Sequence, residues 1–304
     1  MSRPGFAHEP PMISELQSPT GFVHTASEPP GSGAVGAAAR AWRRRIGPKL
    51  LGAAVPAAVL LFAEIANRAG WVASNLLPAP GDVIRALLEL GWRTVALHVA
   101  TSTARVATGY ALGASLALVA GSLVGLSRTA RAILDPSFQA LRAIPSLAWV
   151  PLLLLWLGID EAPKLAMIAI GAFFPVYMGV VAGIRGVDAK LVEVARLMRL
   201  SPVALVRRVL LPAALPSVFT GLRNGLSLAW MFMVAAELIA ATRGLGYLLT
   251  DGREMGRADL VLAAIVLLAL LGKASDAAMA SLERRALAWQ DAFGDGHGDA
   301  GGTR

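Results

Sequence analysis

The chain contains no cysteine and only four histidines among its 304 residues. Without a thiol it forms neither a disulfide framework nor a thiolate metal site. The histidines are scattered and predict no metal-ligand cluster; they are His8, His24, His98 and His297. Charged residues are scarce as well, at 16% of the chain. A soluble domain carries about a quarter, so the composition argues against one.

Catalytic motifs are also missing. Gly272-Lys273 resembles the end of a P-loop, but Leu267 stands where that motif needs its first glycine and Ala274 where it needs serine or threonine. We therefore expect that the chain does not bind ATP. No Ser/His pair lies within the apolar segments, so an intramembrane protease is not supported. We expect no metal, no cofactor and no enzymatic activity of its own.

Long apolar runs are what the sequence has instead. Hydrophobic residues make up 56% of the chain and the mean hydropathy is +0.60. Runs of this length predict transmembrane helices, so we expect an all-α membrane protein with about six of them. The spans are predicted at residues 50–65, 106–126, 145–157, 164–184, 215–239 and 260–278.

The basic residues lie between these runs and give a net charge of +8. They form no single patch with interleaved aromatic residues, so we expect no nucleic-acid partner. If the N-terminus is cytoplasmic, most of the Lys and Arg residues fall on the cytoplasmic side. This excess predicts that both termini are cytoplasmic.

Two tails are expected to flank the membrane domain. Residues 1–39 are rich in Pro, Gly, Ser and Thr and predict a disordered cytoplasmic tail, and 291–304 a flexible one. The basic residues 40–45 before the first apolar run resemble the start of a signal peptide. That run is long and no clear cleavage site follows, so we interpret it as a retained span. The transmembrane domain is then 40–290.

Small residues recur every four positions in the second predicted span and form a ridge on one helix face. They are Gly109, Gly113, Ala117, Gly121 and Gly125. Such a ridge lets another helix approach closely. We favour packing within one chain, with a contact between two copies as the alternative.

Two interfacial segments are predicted on the outer side. Apolar residues at helical spacing within 82–90 indicate an amphipathic helix on the membrane surface. A second interfacial stretch covers 244–249. Both segments suit the seating of an outer partner, and simple interfacial packing explains them equally well.

The loop at residues 186–212 is the most informative segment. Leu191, Val194, Ala195 and Met198 fall at i, i+3, i+4 and i+7, which predicts a short amphipathic helix. Ser201-Pro202 then supplies an N-cap and an N1 proline for a second short helix, which we expect Pro212 to end. Two short helices at an angle would form a rigid cytoplasmic projection that receives force from a soluble partner.

The spacing of this loop resembles the EAA motif of binding-protein-dependent ABC importer permeases. Glu193, Val194 and Ala195 take the opening positions, Val209 the isoleucine position and 211–212 the Leu-Pro ending. Arg199 stands where the family has a glycine, so we expect the turn to move to 201–202. The residues that the resemblance assigns to ATPase coupling are Glu193, Ala195, Arg196, Arg199, Leu211 and Pro212.

The resemblance extends from about residue 77 to 289 and is closest to permeases of the aliphatic sulfonate, taurine and nitrate group. Matching segments are 135–136, 141–145, 156–159, 174–175, 221–223, 236–237, 244–247 and 271–273. It implies the type I (MetI-like) importer permease fold in the bacterial inner membrane. It also implies a second copy of this chain, two cytoplasmic ABC ATPase subunits that bind the ATP, a periplasmic substrate-binding protein and surrounding membrane lipids.

Polar residues within spans are candidates for the substrate path. Arg223 and Asn224 suit contact with an anion, although Arg223 could also extend to the headgroups. Glu237 could line the path, face a polar partner in the bundle or lie in the interface. Lys273 and Asp276 are expected to pair or to extend to the headgroups.

Alternative functions remain at this point. An ion-coupled secondary transporter would usually show an inverted repeat and broken spans with charges at the midplane, which we do not find in the sequence. A membrane anchor is a second alternative. Within the importer class, pyrimidine-precursor permeases look alike at this level, so the substrate stays open.

Overall fold

The computed structural model describes residues 54–55, 57–59, 61–71 and 77–289. The chain divides into two units, Met1–Ala58 and Val59–Arg304, and the following concerns the second. Residues 61–68 are helical. The tails predicted at 1–39 and 291–304 lie outside the described residues, as does part of the first predicted span.

Between residues 77 and 289 the fold consists of helices and turns, without a strand. The helices are α1 (Pro80–Leu90), α2 (Trp92–Leu126), α3 (Arg128–Ala143), α4 (Val150–Leu157), α5 (Glu161–Arg185), α6 (Ala189–Leu197), α7 (Pro202–Leu205), α8 (Leu211–Ala240), α9 (Leu245–Glu254) and α10 (Ala258–Ala286). A 3-10 turn (Ser146–Trp149) precedes α4, and a π-helical turn (Val206–Leu210) precedes α8.

Four helices of the described residues are long and apolar enough to cross a membrane, namely α2, α5, the continuous helix from α7 through α8, and α10. A fifth span arises if α3 and Ser146–Leu157 count together, since they meet at a bend of 91°. The prediction at 145–157 covers only the second half of this bent pair. The count of six is therefore not confirmed.

Helix α5 lies at the centre of the bundle, with α2 parallel and α8 antiparallel to it. Gly109 packs on Ile168 at one end of the α2–α5 contact. Gly179 of α5 lies against Gly221 of α8, where an added Cβ would stand 2.7 Å from the Gly221 Cα. Close backbone approach of this kind replaces the hydrophobic effect as the source of helix association in lipid.

These directions define two ends of the bundle. The loop end is where residues 186–210 join α5 to α8. The far end is opposite and holds the beginning of α2, the beginning of α5 and the end of α8. The amphipathic helix predicted at 82–90 is confirmed as α1, and the stretch at 244–249 proves to be the first part of α9, with Leu245 and Leu248 buried.

Pro212 does not end a short helix, so that prediction was wrong. It is the second residue of α8, and the helix runs on from α7 through the π-helical turn. At this turn Leu211 donates its N–H to the carbonyl of Val206, five residues earlier. Because the hydrogen-bond pattern is already shifted there, the helix passes the proline without stopping.

Candidate functional site

The segment that joins α5 to α8, called the coupling loop below (186–212), is held by hydrogen bonds at both ends of α6. Asp188 caps α6 by accepting from the N–H of Lys190 at 2.9 Å. At the other end Arg199 donates to the carbonyl of Arg196 (2.9 Å) and Leu200 to that of Ala195 (3.1 Å). This pair of bonds is a Schellman motif, which fixes the direction of the chain after α6.

Arg199 occupies the turn with φ of 53°, the left-handed conformation that glycine adopts without cost. The expected move of the turn to 201–202 was therefore wrong. The Schellman bonds hold the backbone in the glycine-like conformation although the residue carries a Cβ, at a cost of about 1 kcal/mol. Ser201 keeps its predicted role as N-cap, since its Oγ accepts from the N–H of Ala204 at 3.3 Å.

The apolar side chains of the coupling loop point away from the rest of the described chain. Leu197 is 82% and Met198 72% exposed, whereas Ala195 is buried at 3%. Three further apolar side chains are exposed, namely Leu191, Val194 and Val203. Of the other predicted coupling residues, Glu193, Arg196 and Leu211 are exposed and Pro212 is partly buried. The loop is a stiff turn with an uncovered apolar face.

A second polar site lies at the far end, around Arg105 of α2. Its guanidinium donates from Nε and Nη2 to the Glu161 carboxylate (2.7 and 2.6 Å) and from Nη1 to Oε1 of Glu237 (2.8 Å). Lys164 adds a bond of 3.0 Å to Glu161. We call these four residues the Arg105 clamp; it balances two carboxylates against two cations.

The clamp extends into the segment before α9. Ser102 donates to Glu237 and accepts from the N–H of Leu245 at 2.8 Å, while Gly246 donates to Oε2 of Glu237 at 2.8 Å. Arg105 also donates to the carbonyl of Arg243 at 2.6 Å. Both oxygens of Glu237 thus have hydrogen-bond partners, as a buried charge requires.

The residues predicted for the substrate path do not come together. Glu237 is 1% exposed within the clamp, so it faces polar partners in the bundle. Arg223 lies elsewhere, bonded to Asp276 (3.0 Å) and Glu283 (3.2 Å), and Asn224 is exposed. Of the two alternatives for Lys273 and Asp276, pairing with each other was wrong, because Asp276 of α10 bonds to Arg223 of α8.

The structure also offers an apolar groove of about 260 Å³ between α2, α3 and α5. Its lining includes Gly113, Phe138, Trp149 and Phe173, and none of the three predicted path residues. The ridge of small residues lies beside it, against α5 of the same chain. Whether Arg223, Asn224 or Glu237 touches a substrate stays a prediction.

At the far end α1 is joined to the start of α10 by a further ion pair. Arg257 donates to Asp259 (2.7 Å) and to Glu89 (2.8 Å). These hydrogen bonds hold the pKa of the Arg257 guanidinium above its ordinary value, and the bond to Asp259 contributes most. No group of three His, Asp or Glu side chains in the part of the chain that the structure describes is placed to hold a metal ion.

Sequence reasoning missed the Arg105 clamp. The second span was predicted to begin at residue 106, which placed Arg105 in a loop, whereas α2 begins at Trp92. A signal existed in Arg105 itself, because an ionisable residue beside a long apolar run is a functional candidate by default. Its partners, at 161 and 237, are too distant in sequence for any local pattern to pair them.

Comparison with known proteins decides the family. Residues 109–287 match the family described as binding-protein-dependent transport system inner membrane component. The chain belongs to this family. It is a permease subunit of an ABC importer, and the resemblance read from the coupling loop is confirmed.

Individual relatives agree. The permease is 39% identical over 260 residues to the putative aliphatic sulfonates transport permease protein SsuC of Bacillus subtilis, covering 84% of this chain and 94% of the relative. It is 36% identical over 219 residues to the taurine transport system permease protein TauC of Escherichia coli, covering 70% and 80%.

A solved structure shares the fold. A chain from the MetNI methionine ABC transporter, solved in inward-facing conformations, superimposes with a TM-score of 0.57 at 21% identity. The match covers 65% of this chain and 98% of that chain. The expected type I (MetI-like) permease fold is therefore confirmed, while an identity this low says nothing of the substrate.

Proposed function

We propose that two copies of the permease form the translocation path for a small organic anion of the sulfonate type. Two cytoplasmic ATPase subunits drive the cycle, and a periplasmic binding protein delivers the substrate to the far end. The observation that carries the proposal is the apolar face of the coupling loop, presented on a turn fixed by the Schellman motif.

An exposed apolar face at the end of a bundle favours a partner protein. Leu197 and Met198 would lie in water if nothing covered them, and covering such side chains is favourable. The fixed turn supports force transfer, because a partner that moves Met198 moves the ends of α5 and α8 with it. Each ATPase of a pair needs one such loop, which supports two copies of this chain.

The distribution of charge supports a cytoplasmic loop end. Six basic residues lie between Arg185 and Arg208, as expected of a cytoplasmic loop. The far end would then face the periplasm. Both termini are cytoplasmic in this arrangement, in the bacterial inner membrane.

The substrate class rests on the relatives, whose names give aliphatic sulfonates and taurine as their cargo. Both carry a sulfonate group on a short carbon chain. The same anionic headgroup is therefore the first candidate for this permease.

Uptake by reconstituted vesicles tests the proposal. Purified permease and its ATPase are incorporated into liposomes with ATP inside, the binding protein is added outside, and uptake of radiolabelled ethanesulfonate and taurine is measured. We expect uptake that requires ATP and stops when the ATPase is omitted. Uptake that persists without ATP and follows an ion gradient would contradict the proposal and favour a secondary transporter. ATP-driven uptake of uncharged solutes alone would contradict the substrate class.

A further inference from the structure

We propose that Arg105 is a positioning residue that couples movement of the ATPases at the loop end to the far end of the permease. The inference rests on the proposed function, since it assumes that the coupling loop receives the force. Arg105 lies far from that loop along the bundle. Its role follows from the two helices that it joins.

Helices α5 and α8 are connected at both ends. At the loop end the coupling loop links them covalently. At the far end Arg105 bonds to Glu161, the first residue of α5, and to Glu237, in the last turn of α8. The two helices thus form a closed frame, with the ATPase docking face on one short side and the Arg105 clamp on the other.

Packing along the frame does not replace the clamp. Contacts such as Gly171 against Phe232 hold the middle of α5 against α8. These contacts associate the helices by van der Waals packing, and the clamp adds charged links at their far ends. A buried ion pair opposes separation of the helix ends strongly, because separation leaves charges without partners in an apolar surrounding.

Because charges of the clamp are buried, the helices that carry them should move together. Arg105 is 6% and Glu237 1% exposed, so neither charge has ready access to water when its partner is lost. Glu161 is half-exposed, so breaking its bond to Arg105 costs less than breaking the bond to Glu237. We expect that the far ends of α5 and α8 move as one body when the coupling loop is pulled.

The segment before α9 follows the same movement. The Arg243 carbonyl accepts a hydrogen bond from Arg105, and the Gly246 N–H donates to Glu237. A Cβ added at Gly244 or at Gly246 would overlap the Glu237 side chain. The far-end surface that α9 helps to form is therefore tied to the frame. Without Arg105, force from the ATPase would still bend the loop end but would reach the far end incompletely.

The test is the ratio of substrate taken up to ATP hydrolysed, measured in the reconstituted complete transporter. For R105Q we expect co-purification of the ATPase and an ATP hydrolysis rate within about twofold of wild type, with the ratio lowered about tenfold or more. The matched control is R93Q on the same helix, where the guanidinium lies over the Trp92 ring at 5.4 Å; its ratio should stay at the wild-type value.

A covalent substitute for the clamp separates coupling from folding. Because the chain has no cysteine, R105Q/E161C/E237C places the only two thiols on α5 and α8 at the clamp and removes the charges of Arg105 and its two carboxylate partners together. We expect this variant to be uncoupled, and a short bifunctional thiol reagent to restore at least half of the wild-type ratio. The cross-linked variant also tests the inference if R105Q fails to assemble.

Four results are decisive. A normal ratio in R105Q, or a ratio in R105Q/E161C/E237C that cross-linking does not raise, would overturn the inference alone. Wild-type vesicles without ATP-driven uptake would overturn the proposed function and the inference with it. A low ratio in R105Q together with recovery on cross-linking would support both.

Discussion

Leu200 donates its backbone N–H to the carbonyl of Ala195 at 3.1 Å, and this bond closes the turn of the coupling loop around Arg199. Ala195 holds a motif position for a local reason, since its carbonyl accepts the bond and its small side chain is buried. Arg199 holds the glycine position under strain. The turn is therefore set by hydrogen bonds rather than by the residue that occupies it.

Replacing Arg199 by glycine should stabilise the turn by about 1 kcal/mol, because the left-handed conformation is strained for a residue with a Cβ. The measurement is hydrogen exchange of the Leu200 amide, which should slow about fivefold in R199G. R199V should accelerate it, since a β-branched residue tolerates this φ least. Exchange that is unchanged in both variants would show that Arg199 carries no strain.

A charge on the apolar face of the coupling loop should abolish ATPase docking. M198E places a carboxylate on a side chain that is 72% exposed and should reduce co-purification of the ATPase about tenfold or more, because the charge would be desolvated in the interface. M255E is the matched control, at a methionine 62% exposed on the far-end segment after α9. Equal loss in the two variants would contradict docking at this face.

Gly113 should tolerate no side chain. A Cβ there would stand 2.9 Å from the carbonyl carbon of Ala169, and backbone cannot move aside as a side chain does. G113A should therefore destabilise the permease by about 1–3 kcal/mol in detergent-based unfolding. G272A, at a helical glycine with nothing within 4 Å, should change stability by less than about 1 kcal/mol. A neutral G113A would contradict the close α2–α5 contact.

The two far-end ion pairs should differ sharply in their contribution to stability. E237Q leaves Arg105 buried and partly unpaired, and we expect a loss of about 3 kcal/mol. E89Q removes an exposed partner of Arg257, which keeps its bond to Asp259, so the loss should be below about 1 kcal/mol. Reversible unfolding of both variants at low and high salt tests this, since only the exposed pair should respond to salt. Similar losses would refute the role of burial.

Local patterns predicted the elements that depend on neighbouring residues. The helical spacing of Leu191, Val194 and Met198 predicted α6, and Ser201 was correctly interpreted as an N-cap. The same reasoning failed at Pro212. The π-helical turn before α8 shifts the hydrogen-bond pattern, so the helix continues past the proline. That turn leaves no signature in residue spacing.

The sequence by itself determined that this is a multispan permease whose loop at 186–212 keeps the motif spacing of its family, because apolar runs and motif spacing are short-range properties. Only the tertiary structure decided that Arg199 takes the glycine conformation and that Arg105 joins Glu161 to Glu237. Those contacts lie 56 and 132 positions apart. They form because helix packing buries Arg105 and Glu237 at one place, beside the half-exposed Glu161, and each buried charge is stable only in the presence of its partner.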